Sequence, residues 1–265
     1  MIKFEHTEVV GWEAAIRGMR NPMNSWEKSD SGWKYVTPVQ RDGCILTSIF
    51  DDSEFWIGPN DADLMTRLRN AGTDHRKFMR MIAVYVDITA PLYWWKEFDT
   101  YKVGTVANSC STMHKIAAKE FTLEDFSCEH LIGPGDNPYV YIRDDKAEED
   151  WSPYEIMKDY VIPMLNACRE AYLETKDKKY WWQMIQLLPS SYNQKRTVMM
   201  NYEVLANIYK SRKNHKLDEW CEHKISMDYK EQAKNAASGK WGFCDWIKTL
   251  PYSELITGNF GEKSE

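Results

Sequence analysis

Hydrophobic and polar positions recur along the chain with readable periods, and each period predicts an element. Lys3 to Val10 reads as a strand, and Trp12 to Met19 then repeats its apolar residues at helical spacing until Asn21-Pro22 breaks the run. Residues 27–60, rich in Ser, Asp, Gly and Pro, read as loop with short extended pieces, a common setting for an active-site rim. Asn60 is placed as the N-cap of a helix from Asp61 to Asn70, with Asp61 and Asp63 in its first turn and Gly72 ending it. Arg80 to Ile88 is the most strand-like segment, with Met81, Ile82, Val84 and Val86 apolar. Thr89-Ala90-Pro91 then opens a helix whose face carries Tyr93, Trp94, Trp95 and Phe98. Gly104 and the polar stretch from Thr105 to Ser111 interrupt it, and a further helical segment is predicted over Thr112 to Lys119.

The pattern changes in the second half. Gly133 to Asp150 contains Gly and Pro, is acidic, and reads as a loop. Ser152-Pro153 caps a long helix to about Leu173, with Ile156, Tyr160, Ile162, Leu165 and Ala167 as its apolar positions. Tyr180 to Leu188 is a second helix, stopped by Pro189. Lys195 to Arg212 is predicted as a third, with Val198, Tyr202, Leu205 and Ile208 on one side, and a fourth runs from about Leu217 to Ala236. Strands early and helices late predict the α+β class. We read one domain over 1–265: a strand-rich first half to about 130, an acidic loop at 133–150, a helical half at 151–250 and a mobile tail at 258–265.

Composition narrows the function classes. A chain of 265 residues with 43% apolar and 28% charged residues is a folding, globular sequence that can bury roughly 70–75% of its unfolded surface. Aromatics reach 14%, with 12 Trp and 15 Tyr; such residues build cores and subunit contacts, and they also stack on planar ligands. A net charge of −6 excludes a duplex-DNA binder that relies on many phosphate contacts, but not a small anionic ligand. Met1 to His6 reads as the start of a strand rather than a leader, and the apolar run Met81 to Val86 stops at Asp87, too short to span a membrane. The expectation is a soluble, cytoplasmic protein without membrane contact. Six scattered cysteines without a Cys-x-x-Cys pair read as reduced thiols. Cys128-Glu-His130 and Cys221-Glu-His223 can each offer two metal ligands, but neither has the spacing of a known zinc module, so no metal site is predicted.

Chemistry-bearing residues are densest from Pro91 to Lys115, where a strand, a helix and a Gly/Ser/Thr/Asn loop succeed one another. Backbone N–H groups and hydroxyls at such a junction suit an anion, with Lys102, His114 and Lys115 nearby; the same residues also read as an N-cap loop with solvated lysines. The block resembles the signature of the flavin-dependent thymidylate synthase (ThyX) family: Arg-His-Arg, a Ser, then Asn-Glu-x-Ser-x-Arg-Tyr, preceded by a helix containing Arg-Gln. Here Lys96-Glu97 stands at the Arg-Gln, Thr100-Tyr101-Lys102 at the Arg-His-Arg, and Thr105 at the Ser. After a one-residue insertion Asn108 and Ser111 match, while Met113 and His114 stand at the Arg and Tyr. A second block keeps more of the pattern. Leu188-Pro189, then Asn201 to Arg212, resembles the family's Leu-Pro, Asn-x-Arg-Ser-Leu-x-Asn-Phe and final Arg without a gap; Asn201, Leu205, Asn207 and Arg212 match, and Glu203 stands at an Arg.

The resemblance implies a mixed α/β core with a twisted, mainly antiparallel sheet and long helices, assembled as a homotetramer with sites between subunits. It implies FAD as cofactor, NADPH and methylenetetrahydrofolate as co-substrates, and dUMP or a related pyrimidine nucleotide accepting a methyl group at C5. Carried over by residue, it places Arg212 at the uracil ring and Ser111 at the nucleotide phosphate, with Asn108 beside it. Lys102, Thr105, Asn201 and Asn207 fall on the flavin side, and no covalent nucleophile is implied. As a helix-terminal residue Arg212 can pair with a pyrimidine edge or a carboxylate, or complement the helix dipole. Trp94 and Trp95 are expected to supply stacking surface, and Glu203 to repel phosphates. Two further readings stand: a ThyX-fold nucleotide-binding protein without redox catalysis, and a structural homo-oligomer whose aromatics are all core.

Overall fold

The computed structural model describes residues 2–35, 53–135, 142–143, 150–223 and 241–258. Most of the predicted acidic loop, the predicted helix beyond residue 223 and the tail beyond residue 258 lie outside the described residues. In chain order the strands are β1 (Lys3–Val10), β2 (Gly32–Tyr35), β3 (Ser53–Trp56), β4 (Ala83–Pro91), β5 (Val106–Ser109), β6 (Ile142–Arg143), β7 (Asp150–Trp151) and β8 (Asn193–Asn201). The helices are α1 (Trp12–Arg20), α2 (Pro59–Asn70), α3 (Leu92–Phe98), α4 (Thr112–Lys115), α5 (Pro153–Glu155), α6 (Ile162–Thr175), α7 (Lys178–Leu187), α8 (Tyr202–Arg212), α9 (Phe243–Lys248) and α10 (Glu254–Thr257).

Period-two alternation in β4 sets the main sheet. Val84, Val86, Ile88 and Ala90 are buried, whereas Tyr85 points outward and is exposed. Neighbouring strands follow in the order β1-β4-β8-β5, each pair antiparallel. β8 pairs with β4 along its whole length, from Asn193 opposite Pro91 to Asn201 opposite Ala83. This strand corrects the predicted Lys195-to-Arg212 helix. Val198 and Met200 face inward against Val86 and Val84, and the helix begins only at Tyr202, where the Asn201 side chain accepts the Val204 N–H at 3.0 Å. The second half is therefore not purely helical; it supplies an inner strand of the sheet.

The inner face packs on α1, α3, α8, α9 and α10 in one aromatic-rich core. Trp94, Trp95, Trp220, Tyr202 and Phe243 are fully buried, and Trp94 stacks on Trp220 with centroids 4.4 Å apart. Rings that bury their whole surface hold the core together. With exposures of 0% and 1%, Trp94 and Trp95 cannot be the ligand-stacking surface predicted for them.

A second core forms where α6 and α7 pack with Phe121, Phe126 and Ile116. Ser152 caps the entry as predicted, and Glu155 completes a capping box with it. Residues Ile156–Val161 then form a π turn; Pro163, which has no N–H to give the preceding turn, lies two residues beyond it. The predicted cap of α2 also moves. Gly58 is the cap residue, and the N–H groups of Asn60 and Asp61 are capped from a distance by the Asp30 carboxylate at 2.9 and 3.1 Å. Among the described residues, no helix is long and apolar enough to cross a membrane.

Candidate functional site

Arg212 ends α8, and its guanidinium is held from two sides. Nε donates to the Tyr101 hydroxyl at 2.8 Å, and Nη1 stands 2.6 Å from Glu97 Oε2. The guanidinium carbon lies 5.2 Å from the Trp220 ring centre and 5.6 Å from that of Tyr101. His215 Nε2 approaches the same Glu97 oxygen at 3.3 Å. Arg212 keeps solvent contact, at 19% exposure, with Glu97 at 34%. A guanidinium has five N–H donors, so two fixed partners set its plane and leave donors for a third.

The loop from Tyr101 to Thr105 lies along α8. Tyr101 touches Arg212 at the end of the helix, while Gly104 touches its start. Gly104 has φ +79°, and a Cβ there would stand 2.9 Å from Asn201 Nδ2 and 3.0 Å from Val204 Cγ2, so the close approach needs glycine. The Thr100 hydroxyl donates to the Glu97 carbonyl at 2.7 Å, and that of Thr105 donates to the Tyr101 carbonyl. Lys102 is exposed on this loop. The structure thus gathers Lys102, Thr105, Asn201 and Arg212 around one helix.

The other predicted residues are engaged differently, Asn207 on α8 itself and Asn108 and Ser111 outside it. Asn207 is exposed and accepts from Arg76 Nη2 at 3.2 Å; Arg76 Nε in turn stands 2.7 Å from Glu203 Oε2. Glu203 is 6% exposed. Its charge is balanced inside the chain rather than aimed at a ligand, which corrects the expectation that it repels phosphates. Asn108 sits on the exposed edge strand β5 opposite Thr197. Ser111 caps α4, its hydroxyl accepting the His114 N–H at 3.1 Å. Beside Ser111 is a cavity of about 240 Å³ whose lining includes Lys115, Lys119, Tyr192, Gln194 and Lys195. Lys119 is ion-paired with Asp125 there.

Sequence reasoning missed Glu97, Tyr101, His215 and Trp220 as the holders of Arg212. It also missed a cluster in the turn after α8, where His223 Nδ1 stands 2.6 Å from Asp245 Oδ2 and its Nε2 stands 3.7 Å from Cys221 Sγ. Burial, followed by the carboxylates of Asp218 and Asp245, pushes the Cys221 thiol up. The Cys-x-His pair was visible in the sequence; Asp245, far along the chain, was not.

The four-stranded antiparallel sheet packed on one face makes the chain an α+β protein, and its fold is that of ThyX. Two solved structures carry that comparison. Thymidylate synthase X from Helicobacter pylori, with FAD and dUMP, superimposes at TM-score 0.52 and 14% identity over 97% of each chain. A second structure of flavin-dependent thymidylate synthase from Helicobacter pylori, also complexed with FAD and dUMP, gives 0.53 and 15% over 97% of this chain and 98% of that one. No protein-family model matches the chain, and no curated protein matches its sequence.

Proposed function

We propose that this chain binds a pyrimidine nucleotide, dUMP or a close relative, at the Arg212 end of α8 and transfers a methyl or other one-carbon unit to its C5. The observation that carries this reading is the Arg212 guanidinium, oriented by Tyr101 and Glu97. Its remaining N–H donors suit a ring carbonyl of the base, whose polarisation favours chemistry at the ring. A guanidinium already fixed loses little freedom when the base docks. Ser111 and Asn108 take the phosphate end in this reading, and Lys102, Thr105, Asn201 and Asn207 the cofactor side.

FAD, NADPH and methylenetetrahydrofolate are the cofactor and co-substrates that accompany this chemistry, the flavin supplying the redox step when bound. A flavin pyrophosphate needs cations, and from Thr100 to Thr105 only Lys102 carries one. The Thr100 and Thr105 hydroxyls are spent on carbonyls, and the Tyr101 hydroxyl on Arg212. This donor set does not fit a tightly held flavin. Losing two charge-assisted contacts costs about 3–6 kcal/mol, roughly a hundred- to ten-thousandfold in affinity. FAD titration followed by quenching of flavin fluorescence is expected to give tens of micromolar or weaker, and a submicromolar value contradicts it. The same loop favours the second reading, a ThyX-fold nucleotide-binding protein without redox catalysis.

Assembly belongs to the proposal as well. The outer face of the sheet presents Tyr85 and Val106, 43% and 60% exposed, in one cross-strand row with Met199. Apolar groups aligned on an open sheet face support a partner copy, and a homotetramer predicts several times 31.2 kDa by light scattering; a clean monomer would remove a site between subunits. The function itself is tested by incubating the protein with dUMP, FAD, NADPH and methylenetetrahydrofolate and assaying dTMP by mass. Product formation supports the enzyme. Binding of dUMP without product selects the second reading, and binding of neither dUMP nor FAD leaves a structural oligomer.

A further inference from the structure

The turn after α8 gathers ligand-bearing side chains that the nucleotide site does not use. One donor atom from each of Asp218, Cys221 and His223 lies within 4.8 Å of the other two. The Cys221 Sγ to His223 Nε2 distance is 3.7 Å. A tetrahedral zinc ion with bonds of about 2.3 Å to sulfur and 2.0–2.1 Å to nitrogen holds those two atoms about 3.5 Å apart. The gap in the fold is thus close to the one the ion requires.

The surroundings are built rather than incidental. His223 Nδ1 contacts Asp245 Oδ2 at 2.6 Å, and the Asp245 side chain is 1% exposed. Asp245 is itself fixed by the N–H groups of Gly242 and His223, both at 3.0 Å. With Nδ1 committed to a buried carboxylate, Nε2 is the ligating nitrogen, the arrangement that orients a metal-binding imidazole. Asp218 has its own outer partner, His130 Nε2 at 3.4 Å from Oδ2, and this contact brings the histidine of the other Cys-x-His pair to the cluster. Gly242 lets the two segments meet: a Cβ there would be 2.3 Å from the Cys221 carbonyl oxygen and 2.7 Å from that of Asp218.

Asp245, His223 and Cys221 also line up in the order of a hydrolytic Cys-His-Asp triad. That alternative needs a thiolate in an electropositive setting, whereas Asp218, Glu219 and Asp245 are all acidic. A divalent cation inverts this electrostatic logic by binding the thiolate directly. Mixed sulfur, nitrogen and carboxylate donors select zinc over magnesium or calcium.

We propose that Asp218, Cys221 and His223 bind one zinc ion, with water as the fourth ligand, and that Asp245 orients His223. The ion would pin the turn that carries Trp220, the ring stacked on Trp94 and facing Arg212, and so stiffen one wall of the arginine site.

The test uses the full chain, stripped with chelator, loaded with zinc or cobalt(II) and desalted. Elemental analysis is expected to find one zinc per chain. The cobalt form should show an intense thiolate-to-metal charge-transfer band in the near ultraviolet, and Cys221→Ser should remove it. Asp245→Asn should weaken zinc binding about 10- to 100-fold. Cys128→Ser serves as the control and should keep the band; should Cys221→Ser misfold, the zinc affinity of Asp245→Asn keeps the test decisive, since unchanged affinity would remove His223 as a ligand. No retained zinc, no charge-transfer band in the wild type, or loss of the band in Cys128→Ser would overturn the proposal.

Discussion

Two arginine–glutamate pairs are tied to α8, and they differ in what surrounds them. At the first turn Arg76 and Glu203 stand 2.7 Å apart with side chains 16% and 8% exposed. At the last turn Arg212 and Glu97 stand 2.6 Å apart with 19% and 34% exposed. The near pair is closed: Asn207 takes a donor of Arg76, and the Glu203 carboxylate is out of water. The far pair is open, with an aromatic floor beneath the guanidinium and solvent beside the carboxylate. The same two residue types thus serve structure at one end of the helix and, in our reading, recognition at the other. Burial decides which. A charge without water needs its partner to survive folding, while a pair whose carboxylate side chain keeps 34% exposure is held less strictly and can exchange partners.

The largest effect is expected where the pair is closed. Glu203→Ala leaves Arg76 without its buried counter-charge and should destabilise the fold by about 3–5 kcal/mol, read by urea denaturation. Glu203→Arg should be worse still, because it adds a guanidinium beside Arg76 and Arg69. A stable Glu203→Arg protein that gained flavin affinity would break the comparison.

A third pair sharpens it. Asp61 is fully buried and accepts from Arg20 Nε at 2.6 Å, from the Ser29 and Ser31 hydroxyls at 2.8 and 2.7 Å, and from two backbone N–H groups at 3.1 Å. Burial raises its carboxyl, but the hydrogen bonds from Ser31, Ser29, Arg20 and Asp30 outweigh that and hold it below the ordinary carboxylate range. A depressed folded value means the stability is fully present above the unfolded pKa, about 4, and is lost as pH falls through the folded one. Asp61→Asn leaves Arg20 without its buried counter-charge and should therefore also cost about 3–5 kcal/mol at neutral pH and flatten the acid limb of a stability–pH curve. An unchanged acid limb would show that other carboxylates govern it.

Much of this was legible from local signals. The opening strand and α1, the Ser152 cap and the helix after Pro91 each rest on residues within a few positions of one another, and all form where predicted. β8 was hidden because Val198, Tyr202, Leu205 and Ile208 keep a helical period straight through the junction at Asn201. Only pairing with β4, far away in sequence, makes the first part a strand. The cap of α2 was misplaced for a similar reason, since Asp30 supplies it across a loop. At the site, the unbroken spacing from Pro189 to Arg212 singled out Arg212. What orients it was illegible, because Glu97 and Tyr101 lie in one stretch more than a hundred residues before Arg212 and meet it only in the fold. Trp94 and Trp95 misled in the other direction, as their sequence neighbours do not reveal that both are core.

The open pair carries the central claim, and thermal shift with dUMP tests it most directly. The wild-type protein should melt at a higher temperature as dUMP is added, as binding to the folded state requires. Arg212→Ala should keep its ligand-free stability within about 1 kcal/mol of wild type yet show no dUMP shift, while Asn207→Ala, on the closed side, keeps the shift. An Arg212→Ala protein that dUMP still stabilises, or one that no longer folds, would contradict the account and make Arg212 a structural residue like Arg76.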